Sequence, residues 1–127
     1  MTFNSSIERI ITLFSRRYKV TRQDSNTGYQ LYVNLPPPGM FLDSGFVKGQ
    51  RLFAYMNGTR LFFSLNEKLS DLRLSLGMYS VAKTGARGLR IAVPRAFREA
   101  TGLRKGDYVN AHLVKGELYY EKERSKP

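Results

Sequence analysis

The sequence predicts a mostly β protein with short helices, built as a tandem repeat of two half-domains that share one core. Three observations carry this expectation. First, residues 45–63 (GFVKGQRLFAYMNGTRLFF) and 102–120 (GLRKGDYVNAHLVKGELYY) align without a gap at an offset of 57, with five identities in nineteen positions. The identities are Gly45/Gly102, Lys48/Lys105, Gly49/Gly106, Ala54/Ala111 and Leu61/Leu118. Phe46/Leu103, Leu52/Val109, Met56/Leu113, Phe62/Tyr119 and Phe63/Tyr120 keep their chemical character, where unrelated segments would match at about one position. Second, runs such as Leu89-Arg-Ile-Ala-Val93 alternate apolar and polar residues, the period of a strand with one buried face. Third, each half of ~43 residues is too short to bury a core alone, so the halves must complete each other.

In chain order, residues 5–17 (SSIERIITLFSRR) set Ile7, Ile10, Ile11 and Phe14 at helical spacing behind a serine-rich start. Glu8 lies near the start and Arg16 and Arg17 at the end, the order that a helix dipole favours. A short amphipathic helix over 1–17 is expected, its apolar stripe covering a core or joining two chains. The first half-domain spans 18–63: Tyr18 to Arg22 and Tyr29 to Pro36 read as strands, and three prolines at 36–38 leave at most one helical turn around Met40 to Ser44. Residues 64–78 read as a connector with a helical turn near Asn66. The second half-domain spans 79–120 and is the cleaner copy. Tyr79 to Lys83 and Leu89 to Val93 are strands, Pro94 opens a helix over 95–101 (RAFREAT), and Gly102 closes it in a left-handed conformation. Lys105-Gly106-Asp107 turns the chain into a strand over 108–114, and Lys115-Gly116 turns it into another over 117–121. Residues 121–127 are a charged tail.

Composition narrows the function. Twenty-one Lys and Arg face ten Asp and Glu, a net +11 with pI ≈ 10.2. Such a surplus costs self-repulsion and is kept where the partner is a polyanion. Its distribution follows the repeats: residues 79–120 carry eight bases and three acids (+5), residues 18–63 five and two (+3), and residues 64–78 two of each. The chain has no cysteine, which removes disulfides, thiolate catalysis and cysteine-ligated zinc. No apolar run approaches the roughly 20 residues that span a bilayer, and the N-terminus lacks the blocks of a signal peptide. A cytoplasmic protein, nucleoid-associated when bound to DNA, is expected.

From Lys83 to Glu121 the sequence resembles the AbrB-type swapped-hairpin DNA-binding domain. The resemblance rests on a strand ending in Val93-Pro94, a short helix ending at Gly102, an apolar Leu103, Gly106-Asp107 before a strand, and a hairpin turn at Gly116. It covers about a third of the chain directly, and roughly two thirds with the degenerate first copy. It implies a swapped-hairpin β-barrel in which two units interleave, here fused within one chain. It also implies a transcription regulator of prokaryotic, archaeal or viral type that binds double-stranded DNA and can pair as a homodimer.

The resemblance carries Arg90, four residues before Pro94, and Arg98 on the helix to the DNA-contacting positions. Arg87 and Arg95 join them on chemistry, as planar donors suited to phosphate and guanine edges. Lys83 and Arg22, at strand ends, suit phosphate contacts that position a duplex without reading it. Glu99 takes the second helix position, and Gln30, Tyr32 and the prolines replace these groups in the first copy. Lys48 and Lys105 read as turn residues.

Two other readings compete. An antitoxin uses the same barrel but needs a partner-binding tail, and residues 121–127 are short with a charge of +1. A nonspecific RNA or single-strand binder would stack bases on strand aromatics such as Tyr29, Tyr32, Tyr108, Tyr119 and Tyr120. In a small barrel such rings more often fill the core, as expected of Phe62 and Phe63. His112 is the sole histidine and has no sequence partner for metal or base chemistry. No phosphate loop, nucleophile elbow or supported carboxylate pair occurs, so no enzyme, cofactor, metal or small-molecule substrate is expected.

Overall fold

A computed structural model describes residues 12–36, 46–66, 73–85, 88–114 and 117–123. Among these are β1 (Thr12–Lys19), β2 (Thr21–Ser25), β3 (Gly28–Asn34), β4 (Arg51–Asn57), β5 (Arg60–Ser64), β6 (Leu74–Ser80), β7 (Ala82–Thr84), β8 (Gly88–Ala92), α1 (Arg95–Thr101), β9 (Tyr108–Val114) and β10 (Glu117–Lys122). They form two antiparallel sheets, one ordered β1-β9-β10-β5-β4-β6 and the other β2-β3-β8-β7. Exchange β1 with β6, β2 with β7, β3 with β8, β4 with β9 and β5 with β10, and each order reads the same backwards. The sequence echo is thus a two-fold relation in space. No helix among the described residues is long and apolar enough to cross a membrane.

The two halves are threaded through each other. β1 from the first half pairs with β9 from the second, and β6 from the second pairs with β4 from the first. Both joints between sheets are valines. Between β1 and β2, Val20 donates its N–H to Asp107 O (2.8 Å) and accepts from Gly106 N–H (3.0 Å). Between β6 and β7, Val81 donates to Gln50 O (2.8 Å) and accepts from Gly49 N–H (2.8 Å). Gln50 and Asp107 are 57 residues apart, as are Gly49 and Gly106, so each turn of one half holds the valine of the other. These bonds satisfy backbone groups that would otherwise be buried unpaired where the chain leaves one sheet for the next.

The core repeats the same logic. Leu52, Ala54, Leu61 and Phe63 are buried with their counterparts Val109, Ala111, Leu118 and Tyr120, and Val33, Leu35 and Phe46 with Ile91, Val93 and Leu103, all in one apolar cluster. Burying each large apolar side chain contributes about 1.5–3 kcal/mol, and neither half collects enough of them alone. Phe63 and Tyr120 meet edge to face, ring centres 6.0 Å apart. Tyr120 adds a hydroxyl that donates to Asn34 O at 2.6 Å, and its burial pushes the phenol pKa well up. Phe62, expected in this core, is buried but lies on the other face of β5.

The strands expected over 18–22 and 79–83 are each broken at their valine, because the chain crosses there from one sheet to the other; the rest of the second half follows expectation. Helix α1 covers 95–101, and Gly102 closes it at φ 68° with its N–H bonded to Arg98 O. The N-terminal expectation fails. Residues 12–17 belong to strand β1, where a helix over 5–17 was expected; Ile7, Ile10 and Ile11 lie outside the described residues. Ladder hydrogen bonds to β9 run from Thr12 to Lys19, and that tertiary pairing outweighs a local helical period of two turns. The homodimer expectation leaned on that helical stripe, and Phe14 now sits in a strand. The connector is also shorter than 64–78, because β5 runs through Ser64 and β6 begins at Leu74. The helical turn expected around residues 40–44 lies outside the described residues, as does most of the one expected after Asn66.

Gly49 and Gly106 hold φ of 85° and 90°, and a Cβ at either would meet nothing within 4 Å. Alanine there should therefore cost backbone strain alone, about 1–2 kcal/mol. Gly49→Ala and Gly106→Ala should each lower the urea unfolding free energy by that amount in one cooperative transition. Unequal losses, or a split transition in either variant, would contradict interlocked, equivalent turns.

Candidate nucleic-acid interface

Arginines lie over aromatic rings on both sheets, and Arg16 on β1, 5.3 Å from the Tyr18 ring centre, has no carboxylate partner among the described residues. On the outer face of the six-stranded sheet each described arginine with a ring contact also has a carboxylate. Arg17 lies 3.5 Å from the Tyr108 ring centre and pairs with Glu123 at 2.7 Å. Arg60 lies 4.9 Å from Tyr119 and pairs with Glu121 at 3.4 Å. Arg73 lies 4.2 Å from Phe62 and pairs with Glu117 at 2.5 Å. Strand alternation places Arg60, Phe62, Tyr108, Glu117, Tyr119 and Glu121, with His112, on the face away from Leu113, Leu118 and Leu61. That face is aromatic and locally neutralised.

The four-stranded sheet is arranged differently. Arg90 on β8 sits with its guanidinium carbon 3.9 Å from the Tyr32 ring centre and donates through Nη2 to Gln23 Oε1. Arg98 on α1 lies 4.4 Å from the Tyr29 ring, and Arg22 on β2 lies 4.1 Å from the same ring. Register explains the grouping. Gln23 faces Gln30, Tyr32 faces Ala92 and Asn34 faces Arg90, so Gln23, Tyr32 and Arg90 share the outer face of the sheet. Arg22 faces Leu31 and is on the opposite face, at the edge where the β2–β3 hairpin meets α1. Gln30 donates to Val93 O at 2.8 Å and ties that hairpin to the start of α1.

Among the described residues neither Arg90 nor Arg98 has a carboxylate partner. Arg90 Nε and Arg98 Nη1 are moreover buried without any hydrogen-bond acceptor. Desolvated donors on a charged group are costly unless something offsets them, and the rings beneath supply part of that through cation–π attraction, about 0.5–2 kcal/mol each.

The remaining expected residues are less closely gathered. Arg95 is exposed and paired with Glu99 at 2.8 Å, which holds its charged form more firmly. Arg22 pairs with Asp24 at 2.8 Å. Lys83 is exposed on β7, facing Leu89 rather than Arg90, so it lies at the far edge on the other face from Arg90. Arg87 lies outside the described residues. Tyr29, Tyr32 and Gln23 are the residues that the sequence reading did not assign to the site. The signal for the tyrosines was present: at an offset of 58 they align with Arg87 and Arg90, the offset that also aligns Pro36 with Pro94.

An open groove of about 780 Å³ lies elsewhere, lined by Thr59, Ala100, Thr101, Asn110, Glu121, Lys122 and Glu123. Its charges are already engaged, Glu121 and Glu123 by Arg60 and Arg17, and Lys122 by Thr101 O at 3.1 Å. Among the described residues no three His, Cys, Asp or Glu side chains are grouped to hold a metal ion. Comparison of the chain with family models, with curated proteins and with solved structures returned no match.

His112 is half-buried against the Tyr119 ring at 4.8 Å, with Nδ1 3.3 Å from Ser15 Oγ. Burial lowers its pKa below 6.5; Glu121 opposes the shift and Arg60 adds to it. The folded state therefore favours the neutral ring. Its contribution is complete above the unfolded pKa and is lost as pH falls below 6.5, because the unfolded chain takes the proton first. Urea unfolding between about pH 7.5 and 5.5 should show stability falling with acidity, and His112→Gln should flatten that slope. An unchanged slope would assign it to other groups.

Proposed function

We propose that this protein is a double-stranded DNA-binding transcription regulator, with Arg90 and Arg98 as its principal contacts. The observation that carries the reading is the setting of Arg90 and Arg98. Arg17, Arg60 and Arg73 on the outer face of the six-stranded sheet are matched by glutamates, whereas Arg90 and Arg98 are desolvated in part, laid on tyrosines and left without an acid among the described residues. A planar guanidinium held on a ring presents its edge in a fixed orientation, the requirement for bidentate contact with phosphate or guanine. The rings hold both guanidinium groups in place with no acid to neutralise them among the described residues. A net charge of +11 supplies the long-range attraction.

In this reading the fold is a tandem AbrB-type repeat, a pseudo-dimeric swapped-hairpin barrel within one chain. Strand exchange between the halves and the helix between Pro94 and Gly102 support it. Arg95, Arg87, Arg22 and Lys83 add flanking phosphate contacts. Single-strand binding is disfavoured because Tyr108, Tyr119 and Phe62 each carry an arginine already bridged to a glutamate. A base stacking there would have to displace an ion pair.

Affinity for duplex DNA should fall with salt at a log–log slope near −0.9 for each phosphate neutralised. Arg90→Ala and Arg98→Ala should each weaken binding by about 1–3 kcal/mol if they reach base edges. Arg60→Ala, which removes a neutralised cation from the other sheet, should change little. Fluorescence anisotropy with duplex and single-stranded DNA across a salt series checks all three. Equal affinity in the Arg90→Ala, Arg98→Ala double variant, with its fold intact, would misplace the site, and tighter binding to single strands would replace the function.

A further inference from the structure

The two-fold relation that governs the backbone is kept by the cations at the two edges of the four-stranded sheet, on the face opposite Arg90, and broken at Arg90 and Arg98. Arg22 on β2 and Lys83 on β7 are both 61 residues apart and two residues past their joints, Val20 and Val81. They occupy equivalent positions on the two outermost strands of the four-stranded sheet, and both are exposed. At the centre, Val33 pairs with Ile91, its own repeat partner at an offset of 58, so the two-fold passes through that pair. One residue to the side, the same relation sets Tyr32 against Arg90.

Substitution of one partner has a physical consequence. A strict repeat would bring two arginines diagonally together across β3 and β8, with like-charge repulsion between them. Here one is a tyrosine, and the surviving Arg90 lies over its ring at 3.9 Å. The brace on Arg90 is one-sided as well: Gln23 accepts from Nη2, while its repeat partner is Thr84, too short to reach as far. Arg98 follows the pattern, since residues 36–44 of the first copy contain no Lys or Arg.

We infer that the chain recognises a single non-palindromic duplex site in one fixed orientation, with phosphate contacts from Arg22 and Lys83 straddling the two-fold and base reading confined to the side of Arg90 and Arg98. The inference rests on the duplex-DNA reading above. Backbone contacts need only charge at the right spacing; Lys83 has no carboxylate partner among the described residues, and Arg22 shares its charge with an exposed Asp24 that a phosphate can displace. Base discrimination needs oriented bidentate donors, and these are present on one side only. Gln23 and Tyr32 are positioning residues in this scheme.

The test is selection of the intact protein against a random-sequence duplex library, with complexes of one chain per duplex isolated by size and sequenced. The expected motif is non-palindromic, its information concentrated in one half-site. Arg90→Ala should lose about tenfold or more against the selected duplex and much less against random duplex. Arg22→Ala and Lys83→Ala should weaken both to a similar degree. A palindromic motif, or retained duplexes with no shared motif, would overturn the inference while leaving duplex binding intact. Failure to retain any duplex, with single strands retained instead, would overturn the duplex reading and the inference together.

Discussion

Two valines govern this structure. Val20 and Val81 each sit where a strand leaves the six-stranded sheet and enters the four-stranded one, and each is hydrogen-bonded to a turn from the opposite half. A half-domain of this length cannot exclude water from its own apolar face. Lending its first strand to the other half, and receiving one in return, buries Leu52 and Val109, Ala54 and Ala111, and Leu61 and Leu118 in a common core. The joints decide where the loan occurs. Shifting either valine by one residue would turn the alternation of the following strand inside out. Fusing both halves in one chain removes the concentration dependence that an assembly of separate halves would carry.

A rigid two-fold frame can hold an asymmetric surface, as it does here. The backbone relation fixes where residues 32 and 90 lie, leaving their chemistry free to diverge. Tyrosine on one side and arginine on the other turn a repulsive pair into a stacked one. The same divergence separates the sheets. Glutamates on β10 and just beyond it neutralise the arginines of the aromatic face, while Arg90 on β8 and Arg98 on α1 have no acid among the described residues. Duplication therefore supplies stability, and decay of the duplicate leaves the surface asymmetric.

Much of this was legible in the residues. Where local chemistry and tertiary demand agree, the boundaries coincide: Pro94, RAFREAT and Gly102 define α1 to the residue, and alternation from Tyr108 to Val114 defines β9. Where they conflict, tertiary demand wins. SSIERIITLFSRR has a helical period, but β9 offers its residues a ladder, and residues 12–17 are drawn into β1. LSLGM gives no strand signal ahead of Tyr79 because glycine breaks its pattern; Gly77 adopts φ 98° beside a register shift opposite Ala54 and Tyr55. Arg90, Arg98 and Arg22 could be nominated from charge and spacing. Their tyrosine platform could not, since a ring in an alternating strand looks the same whether it packs inward or carries a guanidinium.

Titration of the nitrogen-15-labelled protein with a short duplex, followed amide by amide, tests the account most directly. The expected result is a contiguous set of shifted signals over β2, β3, β8 and α1, reaching Arg22 at one edge and Lys83 at the other. Amides around His112, Tyr119 and Phe62 on the outer six-stranded sheet should stay in place. Shifts concentrated on that aromatic sheet, with β8 and α1 unmoved, would contradict the account.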